Sequence, residues 1–215
     1  MDGQLLLIDK PAGWTSHDVV AKLRGVFHIK RIGHAGTLDP FATGLLIVGV
    51  GSATKQLTAL VGTDKTYLAT ARLGATSTTD DTEGTVTETG ASPIDRKIVE
   101  TELMGFLGTH EQIAPIFSAK KVGGKKMYEL ARKGLAHTVE TPKKMVTIHS
   151  IKLLSYAWPE LVFEVSCSSG TYIRALARDI GQKLGYGAYL TALRRTRVGE
   201  YRIEDAVTLD QLEKR

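Results

Sequence analysis

Cysteine is almost missing from this chain: Cys167 is the only one in 215 residues. An internal disulfide and a cysteine-based metal cluster are therefore both excluded. Long apolar runs are missing too, since none approaches the roughly 20 residues that span a bilayer. The opening Met1-Asp2-Gly3-Gln4 holds no basic residue and leads straight into the strand-like Leu5–Ile8, unlike a signal or transit peptide. The six histidines are scattered, without the helical pairing of a zinc site. No Gly-x-Ser-x-Gly elbow marks a serine hydrolase. Gly49-Val50-Gly51-Ser52-Ala53-Thr54-Lys55 imitates a phosphate loop but lacks the glycine directly before its lysine. There is no repeat, no low-complexity tract and no linker long enough to separate a pair of domains. These absences predict one domain over 1–215, in the cytosol, without metal or nucleotide cofactor.

What is present is charge, and it is segregated. The formal net charge is only +5, yet Asp80, Asp81, Glu83, Glu88, Asp95, Glu100 and Glu102 crowd one stretch. Lys120, Lys121, Lys125, Lys126, Arg132, Lys133, Lys143 and Lys144 crowd the next. A second basic set runs from Arg174 and Arg178 through Lys183 to Arg194, Arg195, Arg197 and Arg202. Solvated helix faces would account for such runs. A groove that neutralises a phosphate backbone would also do so, and the separation of signs favours it.

Periodicity supplies the elements. Residues 4–8 read as a strand, Lys10-Pro11-Ala12-Gly13 as a turn, and Ser16 as the cap of a helix whose Val19, Val20, Leu23, Val26 and Phe27 share a face. Strands are predicted over 45–50 and around Tyr67, a short helix around 57–61, and a loop or hairpin over 74–92. Ile98–Leu107 reads as helix and 109–144 as a lysine-rich insertion with a short helix near 126–133. Strands return over 145–154 and 160–167, the second with Leu161, Phe163, Val165 and Cys167 on one face. A helix follows Ser169-Gly170-Thr171, burying Ile173, Leu176, Ala177, Ile180 and Leu184, and Thr208 with Gln211 forms a capping box for a last helix. Irregular alternation of strands and helices points to an α+β or mixed-sheet domain.

Three polar segments exceed what a core requires. In Gly33-His34-Ala35-Gly36-Thr37-Leu38-Asp39-Pro40-Phe41-Ala42-Thr43-Gly44 one carboxylate sits between a glycine-rich turn and an apolar strand. An isolated Asp-Pro is ordinarily a structural turn, but an acid on a rigid loop at a strand edge is also placed for chemistry. Lys65-Thr66-Tyr67 puts a tyrosine in a strand, where it could stack on a flat base and still offer a hydroxyl. Ser168-Ser169-Gly170-Thr171-Tyr172-Ile173-Arg174 presents Tyr172 and Arg174 at a helix entry. An ionised Asp39 in a closed pocket needs a cation, and the planar guanidinium of Arg174 suits a carboxylate.

These segments, with Lys10-Pro11-x-Gly13, resemble the TruB family of tRNA pseudouridine synthases from about residue 4 onward. Pro115-x-x-Ser118-Ala119-x-Lys121-x-x-Gly124-x-x-x-Tyr128-x-x-Ala131-Arg132-x-Gly134 is similar to that family's RNA-gripping insertion. The resemblance implies a pseudouridine synthase fold: a mixed, largely antiparallel sheet flanked by helices, with the basic insertion over an active cleft. It implies that Asp39 is the catalytic nucleophile, that Tyr67 stacks on the target base and helps move its C5 proton, and that Arg174 pairs with the carboxylate. His34 would lie beside the flipped nucleotide, and Tyr172 and Leu193 would line the uracil pocket. Lys120, Lys121, Lys125, Lys126, Arg132, Arg194 and Arg195 would hold the RNA backbone. The implied partner is the T-stem-loop of tRNA, bound by a monomer with no guide RNA. Family members commonly carry a small C-terminal RNA-binding domain of PUA type, which is not expected here. A guide-dependent dyskerin-type synthase and a non-catalytic RNA-binding or tRNA-folding protein are the alternatives.

Overall fold

The computed structural model of the chain describes residues 2–118, 121–122, 125–127, 131 and 141–213. Its elements run β1 (Leu5–Lys10), α1 (Ser16–Phe27), β2 (Ile32–Ala35), β3 (Thr43–Val50), a 3-10 turn (Gly51–Gln56) leading into α2 (Leu57–Val61), and β4 (Lys65–Leu73). A small hairpin of β5 (Ala75–Ser77) and β6 (Val86–Glu88) follows, then α3 (Arg96–Met104), β7 (Gly108–Ile113), and the two-residue strands β8 (Lys121–Val122) and β9 (Lys125–Lys126). The chain continues through β10 (Lys143–Ala157), β11 (Glu160–Cys167), α4 (Ile173–Leu184), β12 (Ala188–Val198), β13 (Tyr201–Arg202), a 3-10 turn (Ile203–Asp205) and α5 (Leu209–Glu213). Most of the helix expected near 126–133 lies outside the described residues, and its first residue, Lys126, belongs to β9.

The main sheet has the order β1-β3-β12-β4-β11-β10-β7, with β2 added to β3 and β13 to β12. β1 and β2 both pair antiparallel with β3, whereas β12 meets it in parallel at Thr43 and Gly44. This is the mixed, largely antiparallel α+β architecture expected from the sequence. The folded chain divides into two compact units. The first comprises 1–68, 166–169 and 192–215; the second comprises 69–165 and 170–191.

In the first unit Ala35, Leu45, Ile47, Leu57 and Val198 form a buried cluster, packed by Leu5, Leu7, Leu60, Tyr201, Ile203 and Ala206. The near-continuous apolar run of β3 is buried from Gly44 to Val50, as a strand covered on both faces must be. In the second unit α3 packs on α4 and β10. Alternate residues of β11 point inward, so Leu161, Phe163, Val165 and Cys167 are all buried, as their period of two predicts.

Two local expectations change. The cap of α1 is Thr15, not Ser16: the Thr15 hydroxyl accepts from the Asp18 amide and the Asp18 carboxylate accepts from the Thr15 amide, a complete capping box. The stretch holding Arg194, Arg195 and Arg197 is strand, not a solvated helix face. At the other end of the chain the Thr208–Gln211 capping box is formed as expected.

Candidate active site

The Asp39 loop joins β2 to β3, and three side chains of the first unit brace it. Ser16, freed from capping, is buried and bonds both backbone groups of Leu38: its hydroxyl accepts from the Leu38 amide at 2.9 Å and donates to the Leu38 carbonyl at 3.3 Å. Lys10 is fully buried, and its ammonium donates to the carbonyls of Pro11, Trp14 and Pro40 at 2.9, 2.6 and 3.3 Å. The residues immediately before and after Asp39 are thereby tied to the segment that starts α1. Burial pulls the Lys10 ammonium down to about 8, with Asp39 resisting that shift. The third brace is Arg195. Its guanidinium donates to the Gly36 carbonyl at 3.0 Å and the Leu45 carbonyl at 2.8 Å, one on each side of the loop.

Arg195 therefore differs from the expectation that it grips RNA. Only 1% of it is exposed, because the alternation of β12 turns it to the same side as buried Leu193. A guanidinium so deep is tolerable only when its donors are used, and here they hold backbone carbonyls and Tyr67. Arg194 points the other way and forms a two-pronged pair with Asp9, at 3.0 and 2.7 Å, while staying partly exposed.

Tyr67 lies in the same unit, almost wholly buried, with the Arg195 guanidinium acting on its hydroxyl. Burial pushes its phenol up, Arg195 draws it back, and the negative charge of Asp39 raises it again. Lys65, two residues earlier, is buried and donates to the carbonyls of Val61 and Thr63, closing the C-terminal end of α2. His34, on β2, meets the ring of His17 edge-on with centroids 5.3 Å apart. Its imidazole is pulled down to about 4, first by burial and then by His17 and Arg195, and its Nδ1 is buried without a hydrogen-bond partner among the described residues. Leu193 is buried on β12, its carbonyl receiving the Thr43 hydroxyl at 3.4 Å. Asp39, Tyr67, His34 and Leu193 thus belong to one compact unit.

Tyr172 and Arg174 belong to the second unit, at the entry of α4. Gln112 of β7, 2% exposed, holds the backbone of Tyr172 at both ends: its amide donates to the Tyr172 carbonyl at 3.1 Å and its oxygen accepts from the Tyr172 amide at 2.9 Å. Within this unit Arg174 donates to the carboxylate of Asp81 at 3.1 Å and to the carbonyls of Thr79 and Phe117, both at 2.9 Å. Asp81 is 1% exposed and accepts from the Glu83 amide as well. Arg178 similarly binds Asp80, whose carboxyl burial pushes upward against the pull of Arg178 and Arg174. The acidic stretch at 80–83 is thus partly internal rather than a solvated face.

Of the basic insertion, Lys120 and Arg132 lie outside the described residues, and Lys121, Lys125 and Lys126 are placed by backbone only. A cavity of about 530 Å³ is lined by Asp9, Lys10, Trp14, Lys22, Arg194 and Asp210 among others. Neither Asp39 nor Tyr67 lines it, so this opening does not mark the braced carboxylate. No group of His, Cys, Asp and Glu among the described residues gathers to hold a metal, and no described helix is long and apolar enough to cross a membrane.

Sequence reasoning passed over Ser16 as a loop brace, and also Asp81 and Gln112. Only the first had a signal, since a second hydroxyl beside Thr15 is surplus to capping. Chemically, the first unit offers a half-buried carboxylate on an immobilised loop beside a neutral buried phenol. That suits nucleophilic attack or proton abstraction on a substrate presented to the loop.

Known proteins point the same way. Residues 24–173 match the family model described as TruB family pseudouridylate synthase (N terminal domain), and 174–215 match tRNA pseudouridylate synthase B C-terminal domain. A protein of Thermobifida fusca (strain YX) named tRNA pseudouridine synthase B is 49% identical, over 97% of this chain and 73% of its own length. One of the same name from Mycobacterium sp. (strain KMS) is 48% identical, over 98% of this chain and 72% of its own. Among solved structures, a Cbf5-Nop10-Gar1 complex superposes with a TM-score of 0.78 at 29% identity, covering 98% of this chain and 53% of that one. An H/ACA RNP bound to a substrate RNA containing 2'-deoxyuridine gives 0.75 at 27%, covering 98% and 52%. The chain spans about half the length of these solved chains. The chain belongs to the TruB family of pseudouridylate synthases.

Proposed function

We propose that this chain isomerises uridine to pseudouridine in the T-loop of tRNA, at the uridine numbered 55 in the tRNA convention, as a cytosolic monomer without a guide RNA. The observation that carries the reading is the mounting of Asp39: Ser16, Lys10 and Arg195 immobilise the loop on both sides of it, next to buried Tyr67. The reaction breaks the C1′–N1 bond and forms C1′–C5. One proton leaves C5 and N1 gains one, so no water, electron or metal enters the balance. In this reading Asp39 is the nucleophile, Tyr67 stacks on the extruded base and helps move the C5 proton, and Arg174 neutralises the carboxylate. Extruding a base removes its stacking, so a rigid receiving pocket is needed. Tyr172, Leu193 and His34 are assigned to that pocket, and Arg194 with the insertion lysines to the RNA backbone.

Purified protein incubated alone with an unmodified tRNA transcript is expected to yield pseudouridine at the T-loop uridine. Asp39→Asn keeps the shape and removes the charge, so it should abolish turnover while tRNA binding persists; product from this variant would sink the nucleophile assignment. The likeness to an H/ACA particle favours a second, guide-dependent reading. Product that forms only with an added guide RNA would establish it, and folded protein that binds tRNA without product would leave a binding function.

A further inference from the structure

Arg195 stands apart from the other basic residues because its charge is spent inside the fold. Its guanidinium reaches the carbonyls of Gly36 and Leu45, which bracket the Asp39 loop, and the hydroxyl of Tyr67. The backbone around it is equally close. Arg195 pairs in parallel register with Gly44, and a Cβ on Gly44 would lie 2.3 Å from the Arg195 carbonyl oxygen. Gly36 has φ +74°, and a Cβ there would meet the Arg195 guanidinium at 3.4 Å. Gly36 in the loop and Gly44 at the start of β3 are thus both fitted to this one residue.

We propose that Arg195 is a positioning residue that locks the Asp39 loop and the Tyr67 hydroxyl into a single geometry, so that the carboxylate and the phenol meet the same nucleotide. A guanidinium carries donors and no acceptor, so Tyr67 must accept from it. The phenolic proton is thereby turned away from Arg195 and left to address the substrate. The planar fork matters as much as the charge: two carbonyls on either side of the loop are met at once while the phenol is faced, which the ammonium of a lysine, a compact charge on a flexible stem, does not reproduce. The inference rests on the proposed pseudouridine synthase activity for its kinetic consequence, but not for its structural one.

Arg195→Lys is the test variant, with Arg195→Gln as a second should the first fail to fold. Each is measured for single-turnover rate at saturating tRNA, for tRNA affinity and for amide hydrogen exchange, alone and combined with Tyr67→Phe. Displacing the loop by about an ångström should slow the chemical step by about 10²-fold, with tRNA affinity close to that of the unsubstituted protein. In the Tyr67→Phe background the same change should cost clearly less, because two residues acting through one contact are not additive. Exchange should quicken across 36–45 and stay unchanged in β10. A near-normal rate in Arg195→Lys, or costs that multiply fully with Tyr67→Phe, would overturn the proposal. Unsubstituted protein that makes no pseudouridine would refute the activity instead, and the exchange data then decide: protection of 36–45 unaltered by either variant would overturn the lock.

Discussion

His34 shows how burial becomes a measurable property of one residue. Its imidazole titrates near 4 in the folded protein against 6.5 for an ordinary histidine. As pH falls below about 6.5 the unfolded chain takes up a proton that the folded one refuses until near 4, so stability declines across that window. His34→Gln is expected to remove that component, up to about 3 kcal/mol by pH 4. Urea denaturation at pH 7 and pH 4.5, with and without the substitution, checks it; identical pH dependence would contradict it. Arg174 is the other instructive residue. Its value to the fold lies in Asp81, so Asp81→Leu should strand a buried guanidinium and cost about 3–5 kcal/mol, read from the denaturation midpoint. The sequence offered Arg174 as the counter-ion of Asp39; its bond to Asp81, 93 positions away, was not foreseen. Nothing in the acidic run at 80–83 distinguished it from Asp80 or Glu83.

At the scale of elements, the entry of α1 separates capping from bracing. Two adjacent hydroxyls precede the helix; Thr15 caps it and Ser16 holds Leu38. Thr15→Ala should cost about 1 kcal/mol of stability and leave turnover unchanged. Ser16→Ala strands the Leu38 amide in a buried site, should cost about 1–3 kcal/mol, and should also lower kcat because Leu38 adjoins Asp39. Equal effects of the two on kcat would deny the division of labour. Helices and strands with clear periodicity were legible beforehand, as were the inward face of β11 and the capping box at Thr208. β12 was not, because its arginines resemble a surface run by type. A period of two sends Arg195 inward and Arg194 outward, and only the pairing of the strand fixes which parity is internal.

At the scale of the molecule, the modest net charge of +5 conceals separated basic stretches, and binding to tRNA should therefore depend steeply on salt. Replacing Lys120, Lys121, Lys125, Lys126 and Arg132 with alanine is predicted to weaken tRNA binding and flatten the plot of log affinity against log salt. The slope should fall by somewhat less than one unit for each phosphate that is no longer neutralised. The rate at saturating tRNA should hold; an unchanged salt slope would remove the insertion from the interface. By itself the sequence determined the family and the α+β class and singled out the Asp39 loop, Tyr67 and Arg174 as candidates, because those depend on residue type at short spacing and on periodicity within an element. Only the tertiary structure decided which cations are internal and whom they hold: Arg195 on Gly36, Leu45 and Tyr67, Lys10 on Pro40, Arg174 on Asp81. A buried charge needs partners that complete its hydrogen bonds, and those partners come from distant segments that meet only when the chain folds.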